Sequence, residues 1–386
     1  MTPGRVGSVT CVTGIAGVVV ALVLVARLAG GGFDPSRFVV AGSEFTDGSK
    51  TPTSIVVLDG PGYDGQFVLR LALDPWTSVR TEHGITLDRP AYRQQRVALP
   101  AAAWLASLGG RAPIVLWILP LLGALAMVGT AAAGARLAVA RGLPPVWGLA
   151  PALSAGLLMS LGRGLNETFA VFFLVLGLLC ATRERWVACS VVFTLGALSR
   201  ETILIPAGLV CVVAVARHRA WVMVTPFAVV AAWVSFIRST WGTWPPADAP
   251  PNFGVPGVGL FRSASANLSA MIDEAPGLET HLHWWACLVV MLAFGVSVAP
   301  HAWRLVRVEH LIARAVAFAW IGWTALALCM STTVWGDAWA WVRVLAEWFT
   351  LGWVVLLFAD HRPSRALIAS LGLLSLATTA FLTYGP

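Results

Sequence analysis

Residues Pro113–Ala135 read PIVLWILPLLGALAMVGTAAAGA, a run without one charge, with Arg111 before it and Arg136 behind it. As a helix rising 1.5 Å per residue it extends roughly 35 Å, enough to cross the ~30 Å hydrocarbon layer of a bilayer. Outward from it, similar runs bounded by Arg, Gly or Pro lie near residues 8–30, 145–162, 167–182, 186–199, 202–216, 220–238, 283–303, 310–331, 339–359 and 364–383. The expectation is an all-α integral membrane protein of about eleven transmembrane helices, a single polytopic domain over residues 1–386. Composition agrees: 58% of the 386 residues are apolar and 12% charged, with 19 Trp. Soluble domains carry about 25% charge, so an ordinary cytosolic enzyme, a disordered chain and a disulfide-stapled miniprotein are excluded. One further apolar stretch, Val97–Leu108, is too short to cross and contains Pro100, which fits a re-entrant or interfacial helix.

Sorting charges under this topology, with the N-terminus inside, puts 12 arginines and 3 acids on one side, a balance of +9. The other side holds the remaining 14 basic and 16 acidic residues, a balance of −2, and the sums recover the net +7. That is the positive-inside pattern of a plasma membrane protein with a cytoplasmic N-terminus. The positive charge therefore reports topology, and no loop interleaves basic and stacking aromatic residues as a nucleic-acid surface would. Trp147, Trp186, Trp221 and Trp303 fall at inner span ends, and Trp241, Trp244, Trp284, Trp285, Trp335 and Trp339 at outer ones, as interfacial belts require.

Ionisable residues gather outside the spans. The first outer loop, with its interfacial helix, covers about residues 31–112 and carries eight of the 19 acids; a second, Pro/Gly-rich outer segment covers 239–282 and reads as a cover. Within the first, Asp59-Gly-Pro-Gly-Tyr-Asp-Gly-Gln66 matches a GxGxxG spacing at Gly60, Gly62 and Gly65. A dinucleotide reading needs a βαβ unit and a helix N-terminus free for pyrophosphate, whereas Asp64 would repel that phosphate. The glycines are expected instead to bend the chain so that Asp59 and Asp64 point at one spot; plain turn capping in a solvated loop is the alternative. Downstream, Arg93 and Arg96 are three residues apart and share a face if helical, a guanidinium pair suited to a lipid phosphate. Arg163 with Asn166 and Glu167, and Arg200 with Glu201, put charges at span ends, where they must be paired or line a wet cavity. Asp337, Arg343 and Glu347 raise the same issue near the tenth span.

Four motifs carry a resemblance: Gly62-Tyr-Asp-Gly-Gln66, Tyr92-Arg-Gln-Gln-Arg96 before a short apolar helix, Leu161-Gly-Arg-Gly-Leu-Asn-Glu-Thr168, and Leu198-Ser-Arg-Glu-Thr202. In order and placement they resemble bacterial multi-span glycosyltransferases of the GT-C superfamily. The resemblance implies a sugar donor carried on polyprenyl phosphate, drawn from among the membrane lipids. It also implies an acidic residue of the first outer loop acting as base or as ligand of a divalent metal. On matching positions it makes Asp64 the leading catalytic residue and Asp59 the second. Arg93, Arg96, Arg163 and Arg200 become donor-phosphate binders, with Tyr63, Gln66, Asn166, Glu167 and Glu201 in support. A transporter or flippase of lipid-linked sugars is the competing reading; it calls for ionisable residues at broken helices and for paired repeats, which the sequence does not display. A non-catalytic assembly subunit is the third.

Overall fold

The structure is a computed structural model that describes residues 3–272 and 277–384. It is almost wholly helical. In chain order the helices are α1 (Pro3–Gly30), α2 (Gly65–Leu73), α3 (Pro90–Gln94), α4 (Ala98–Ala106), α5 (Ala112–Ala140), α6 (Leu149–Ala152), α7 (Ala155–Gly162), α8 (Glu167–Ala181) and α9 (Trp186–Ser199). They continue as α10 (Leu204–His218), α11 (Thr225–Trp241), α12 (Val258–Ile272), α13 (Leu278–Leu305), α14 (Leu311–Leu328), α15 (Thr332–Trp335), α16 (Ala338–Val344), α17 (Ala346–Phe358) and α18 (Arg365–Tyr384). Two small sheets lie between α1 and α3: parallel β1 (Ala41–Gly42) and β2 (Val57–Leu58), and antiparallel β3 (Thr81–Glu82) and β4 (Ile85–Thr86).

Seven helices are long and apolar enough to cross a membrane, and nine segments are if two bent pairs each count as one span. These helices mark a membrane-embedded protein. The intervening α8 and α9, of 15 and 14 residues, are apolar but shorter. Two expected continuous spans are bent: 145–162 at the α6/α7 junction by 52° and 339–359 at the α16/α17 junction by 48°. The first break follows Pro151, and Ser154 turns its hydroxyl onto the Pro151 carbonyl at 3.1 Å. The two bends pack on each other, for Gly156 of α7 lies so close to α16 that a Cβ there would come 2.6 Å from the Val342 carbonyl oxygen. Broken helices, missing from the sequence reading, are thus a feature of the fold.

Every residue of α17 is buried, so this helix runs through the interior of the bundle. α1, α11 and α18 sit at the periphery with large exposed apolar faces, as lipid-facing helices do. The long segment after α1 is no open loop. Val68, Leu69, Ile85, Leu99 and Ala103 form a second core against Val115, Leu116 and Leu119 of α5, which docks α2 and α4 on the end of the bundle. α4 has nine residues, far short of a crossing. Two of the expected belt tryptophans are core instead: Trp284 is 1% exposed and donates to the Trp335 carbonyl at 2.7 Å, and Trp335 is 5% exposed. Each indole is amphipathic enough for either place, and here the helix ends that carry them are covered. Trp221, Trp244 and Trp303 are exposed as expected.

Candidate functional site

The turn before α2 is built from backbone contacts. β1 and β2 pair for two residues, and Gly62, with φ +65°, lies against the backbone of Val40 and Gly42, where any Cβ would collide. Gln66 staples the turn from inside: its Oε1 accepts from Gly42 N at 3.1 Å and Thr46 Oγ1 at 2.9 Å, and its Nε2 donates to the Pro61 carbonyl at 2.8 Å. The residue expected in support is therefore a fastener of the loop, turned away from the hollow. The strand, glycine turn and helix of a dinucleotide fingerprint are present in outline, but β2 has two residues and no crossover helix follows.

This turn sets Asp64 at the start of α2, where its side chain caps no backbone amide and points sideways. Its Oδ1 accepts from Arg93 Nη1 at 2.8 Å and its Oδ2 from Arg343 Nη1 at 2.9 Å. Burial alone would raise the carboxyl's pKa. The charges of Arg93 and Arg343 and the hydrogen bond from Arg343 outweigh it and hold the group well below the usual carboxylate range. Asp59 does not join it. That side chain is exposed, accepts from Ser43 Oγ at 3.2 Å and lines no hollow, because β2 ends just before it and carries it to the outside of the turn.

Asp64 forms one wall of a small hollow, about 30 Å³, shared with Phe67, Tyr92, Arg93, Arg96, Asn166, Glu167 and Arg343. That is room for a water molecule, far less than a sugar needs. Arg93 is also clamped by Asp88 through two bonds of 2.8 and 2.9 Å. Arg96 grips Glu201 with bonds of 3.0 and 2.7 Å and accepts support from Tyr92, whose hydroxyl takes a third bond at 2.9 Å. Arg200 lies 3.6 Å from Glu167 and 3.4 Å from Glu347, and Arg343 lies 3.6 Å from Glu167. Both oxygens of Glu347, fully buried in α17, lack a hydrogen-bond donor.

Arg163 differs from the other arginines here. It is 7% exposed, its guanidinium carbon sits 3.9 Å from the centre of the Tyr63 ring, and among the described residues it has no carboxylate partner. Its Nε is buried without an acceptor. The Arg343 guanidinium approaches the same ring at 5.1 Å, and the Tyr63 hydroxyl is likewise buried and unpartnered. Burial pushes the Tyr63 phenol's pKa up.

No family model matches the sequence, and no characterised protein or solved structure is detectably similar to it. The chemistry of the site rests on its own geometry. Asp64, Arg93, Arg96, Asn166 and Glu167 are brought together as expected from the sequence, with Tyr63 and Arg163 adjoining and Glu201 and Arg200 one ion pair further away. Arg343 and Glu347 were outside the expected set, although a charge on either side of Val344-Leu-Ala346 in an apolar run was their signal. Both oxygens of Asp64 are taken by guanidiniums in this arrangement. Among the described residues no three His, Cys, Asp or Glu side chains converge.

The segment between α11 and α12 closes over this region. Asp248 Oδ2 accepts from the backbone amides of Ala91 and Tyr92 at 2.9 and 3.2 Å, capping α3 from a distance of 157 residues. Asn252 Nδ2 donates to the Tyr92 hydroxyl at 3.4 Å. Residues 273–276 of the expected 239–282 cover lie outside the described residues.

Proposed function

We propose that this protein is a membrane glycosyltransferase of the GT-C kind, moving a sugar from a polyprenyl-phosphate donor to an acceptor hydroxyl. The active site lies at the membrane face covered by residues 31–112. On this reading α1, α5, α6/α7, α8, α9, α10, α11, α13, α14, α16/α17 and α18 make eleven crossings of a bacterial plasma membrane. The N-terminus is cytoplasmic and the site extracytoplasmic. The observation that carries the reading is Asp64, an ionised carboxylate at a hollow, held by guanidiniums that a phosphate would attract more strongly than one carboxylate does.

The acceptor oxygen attacks the anomeric carbon as the bond from that carbon to the phosphate oxygen breaks. Asp64 takes the acceptor proton, and the departing polyprenyl phosphate keeps the electron pair. Among the four arginines expected to hold the phosphate, Arg93, Arg96 and Arg200 are engaged with carboxylates, which leaves Arg163 for that role; Arg343, itself paired with Asp64 and Glu167, joins it by exchanging the Asp64 carboxylate for the phosphate. When Arg343 turns to the phosphate, Asp64 loses one of the guanidiniums that depress its pKa, keeps Arg93 and Arg96, and becomes a better base. A sugar enters only if the residues around the hollow move apart, because the hollow is too small as it stands.

Asp64→Asn, assayed for sugar transfer from a polyprenyl-phosphate donor, should lose transfer by about a hundredfold or more while the protein still folds. Full activity in a folded variant would remove the carboxylate from the reaction. One observation favours the transporter reading: two broken spans meet beside the buried pair of Arg200 and Glu347. Movement of a labelled lipid-linked sugar across vesicles with no bond change would decide for it.

A further inference from the structure

A second hollow, far larger than the first, runs along the bundle between α6–α7, α17 and α18 and encloses about 570 Å³. That volume lies within the range of small-molecule and lipid sites. Its walls are hydrocarbon, and the hydroxyls among them are spent on their own backbones. Ser154 donates to Pro151 O, Ser375 to Leu371 O and Thr379 to Ser375 O, all at 3.0–3.1 Å. A wall of this kind takes an apolar chain.

One end is different. Arg362, in the turn between α17 and α18, is exposed at the mouth and has no ion pair among the described residues. Trp353 is 8% exposed, lines the same hollow, packs edge to face on Trp147 at 5.2 Å, and its indole N–H has no acceptor. An unpaired cation at the rim, a buried N–H donor just inside and a dry channel beyond match three parts of one molecule. We propose that this crevice holds an anionic glycerophospholipid from the leaflet at the Arg362 end. Its phosphate lies against Arg362, an acyl ester carbonyl accepts from Trp353 Nε1, and one acyl chain lies along α18 toward the α16/α17 bend.

The sugar donor is a poorer occupant. Polyprenyl phosphate has no ester carbonyl for the indole. Its phosphate is needed beside Arg163 and Arg343, at the other end of α16/α17 from Arg362. The lipid site itself rests on the membrane-embedded fold; only the placing of the polyprenyl phosphate elsewhere rests on the transferase reading, and the added-polyprenyl-phosphate arm of the test separates the two.

The test uses the full chain reconstituted in vesicles of equal parts phosphatidylcholine and phosphatidylglycerol, re-extracted in mild detergent, with bound lipid counted by mass spectrometry. Wild type should retain phosphatidylglycerol in preference to phosphatidylcholine. Arg362→Gln should cut that preference about fivefold, the weight of one arginine at an anionic membrane surface. Gly372 lines the crevice and a Cβ there meets nothing within 4 Å, so Gly372→Phe should still fold, as read by monodisperse elution in detergent, and lose both lipids. Trp353→Phe should weaken retention of both ester lipids. Equal retention of the two lipids by wild type would overturn the assignment. So would an unchanged preference in Arg362→Gln, full retention in Gly372→Phe, or displacement of phosphatidylglycerol by added polyprenyl phosphate.

Discussion

Arg163 offers a test in which stability and function should move in opposite directions. A guanidinium 7% exposed, with no carboxylate partner among the described residues and a buried Nε lacking an acceptor, costs folding free energy. Leaving a buried donor unsatisfied costs about 1–3 kcal/mol, more for a charged group. Stacking on Tyr63 at 3.9 Å returns about 1–2 kcal/mol of it. Methionine has a similar reach and no charge, and fills irregular space well. Arg163→Met should therefore leave stability unchanged or raise it by about 1 kcal/mol, a melting shift of roughly +1 to +3 °C for a chain this long. Binding should show the reverse. A charge-assisted hydrogen bond contributes about 1.5–3 kcal/mol, so the apparent affinity for a polyprenyl-phosphate donor should fall roughly 10- to 150-fold. Thermal unfolding in detergent and the KM for donor read the two quantities independently. A melting temperature lowered by several degrees with donor KM intact would mean that Arg163 is a structural residue, and the phosphate-binding argument would fail.

Arg96→Gln should do the opposite, lowering stability by about 1–3 kcal/mol because Glu201 loses both of its bonds; an unchanged melting temperature would show that the pair is not structural. Asp248→Ala removes the cap of α3 and should cost about 1 kcal/mol and speed hydrogen exchange at Ala91 and Tyr92; unchanged protection would mean that the cover does not hold α3. The pH dependence of Asp64 has a fixed sign. Its folded pKa is depressed, so its ion pairs stabilise fully above the unfolded value of about 4 and weaken only as pH falls through the lower folded value. The melting difference between wild type and Asp64→Asn should thus be the same at about pH 5 and about pH 8. A difference that shrinks toward pH 5 would contradict the depressed pKa.

The membrane character was legible because charge-free apolar runs have no other stable home than a lipid-facing or deeply buried helix. The breaks in two spans were hidden because hydropathy averages over them. In 339–359 the charges interrupting the run are Arg343 and Glu347; in 145–162 Pro145 suits a helix start, and Pro151, seven residues in, is the one local sign of the break. Local sequence alone does not separate Asp64 from Asp59, each beside a glycine; only the resemblance ranked Asp64 first. The two-residue pairing of β1 with β2 sends one inward and the other to solvent. Arg343 could not be joined to Asp64 by any local pattern, for the two lie 279 residues apart. Nor could spacing separate Arg163 from Arg93 and Arg96, since what distinguishes it is a missing partner.

The bend between α16 and α17 and the charges around it have a common physical origin. A straight helix in an apolar bundle satisfies its own carbonyls and offers nothing to a buried cation. At the bend the Val344 carbonyl is turned outward and accepts from Arg200 Nη1 at 3.4 Å. That same junction sends Arg343, one residue earlier, toward Asp64 and Glu167, and Glu347, three residues later, toward Arg200. A regular α16–α17 helix would close this carbonyl onto its own backbone, and Arg200 would lose an acceptor in a place with no water to replace it. The bend therefore has to persist while the charges are present, and the charges are tolerable only while the bend persists. The mutual dependence anchors the backbone that carries Arg343 opposite Asp64, and leaves its side chain, which lines the hollow, as the part able to turn.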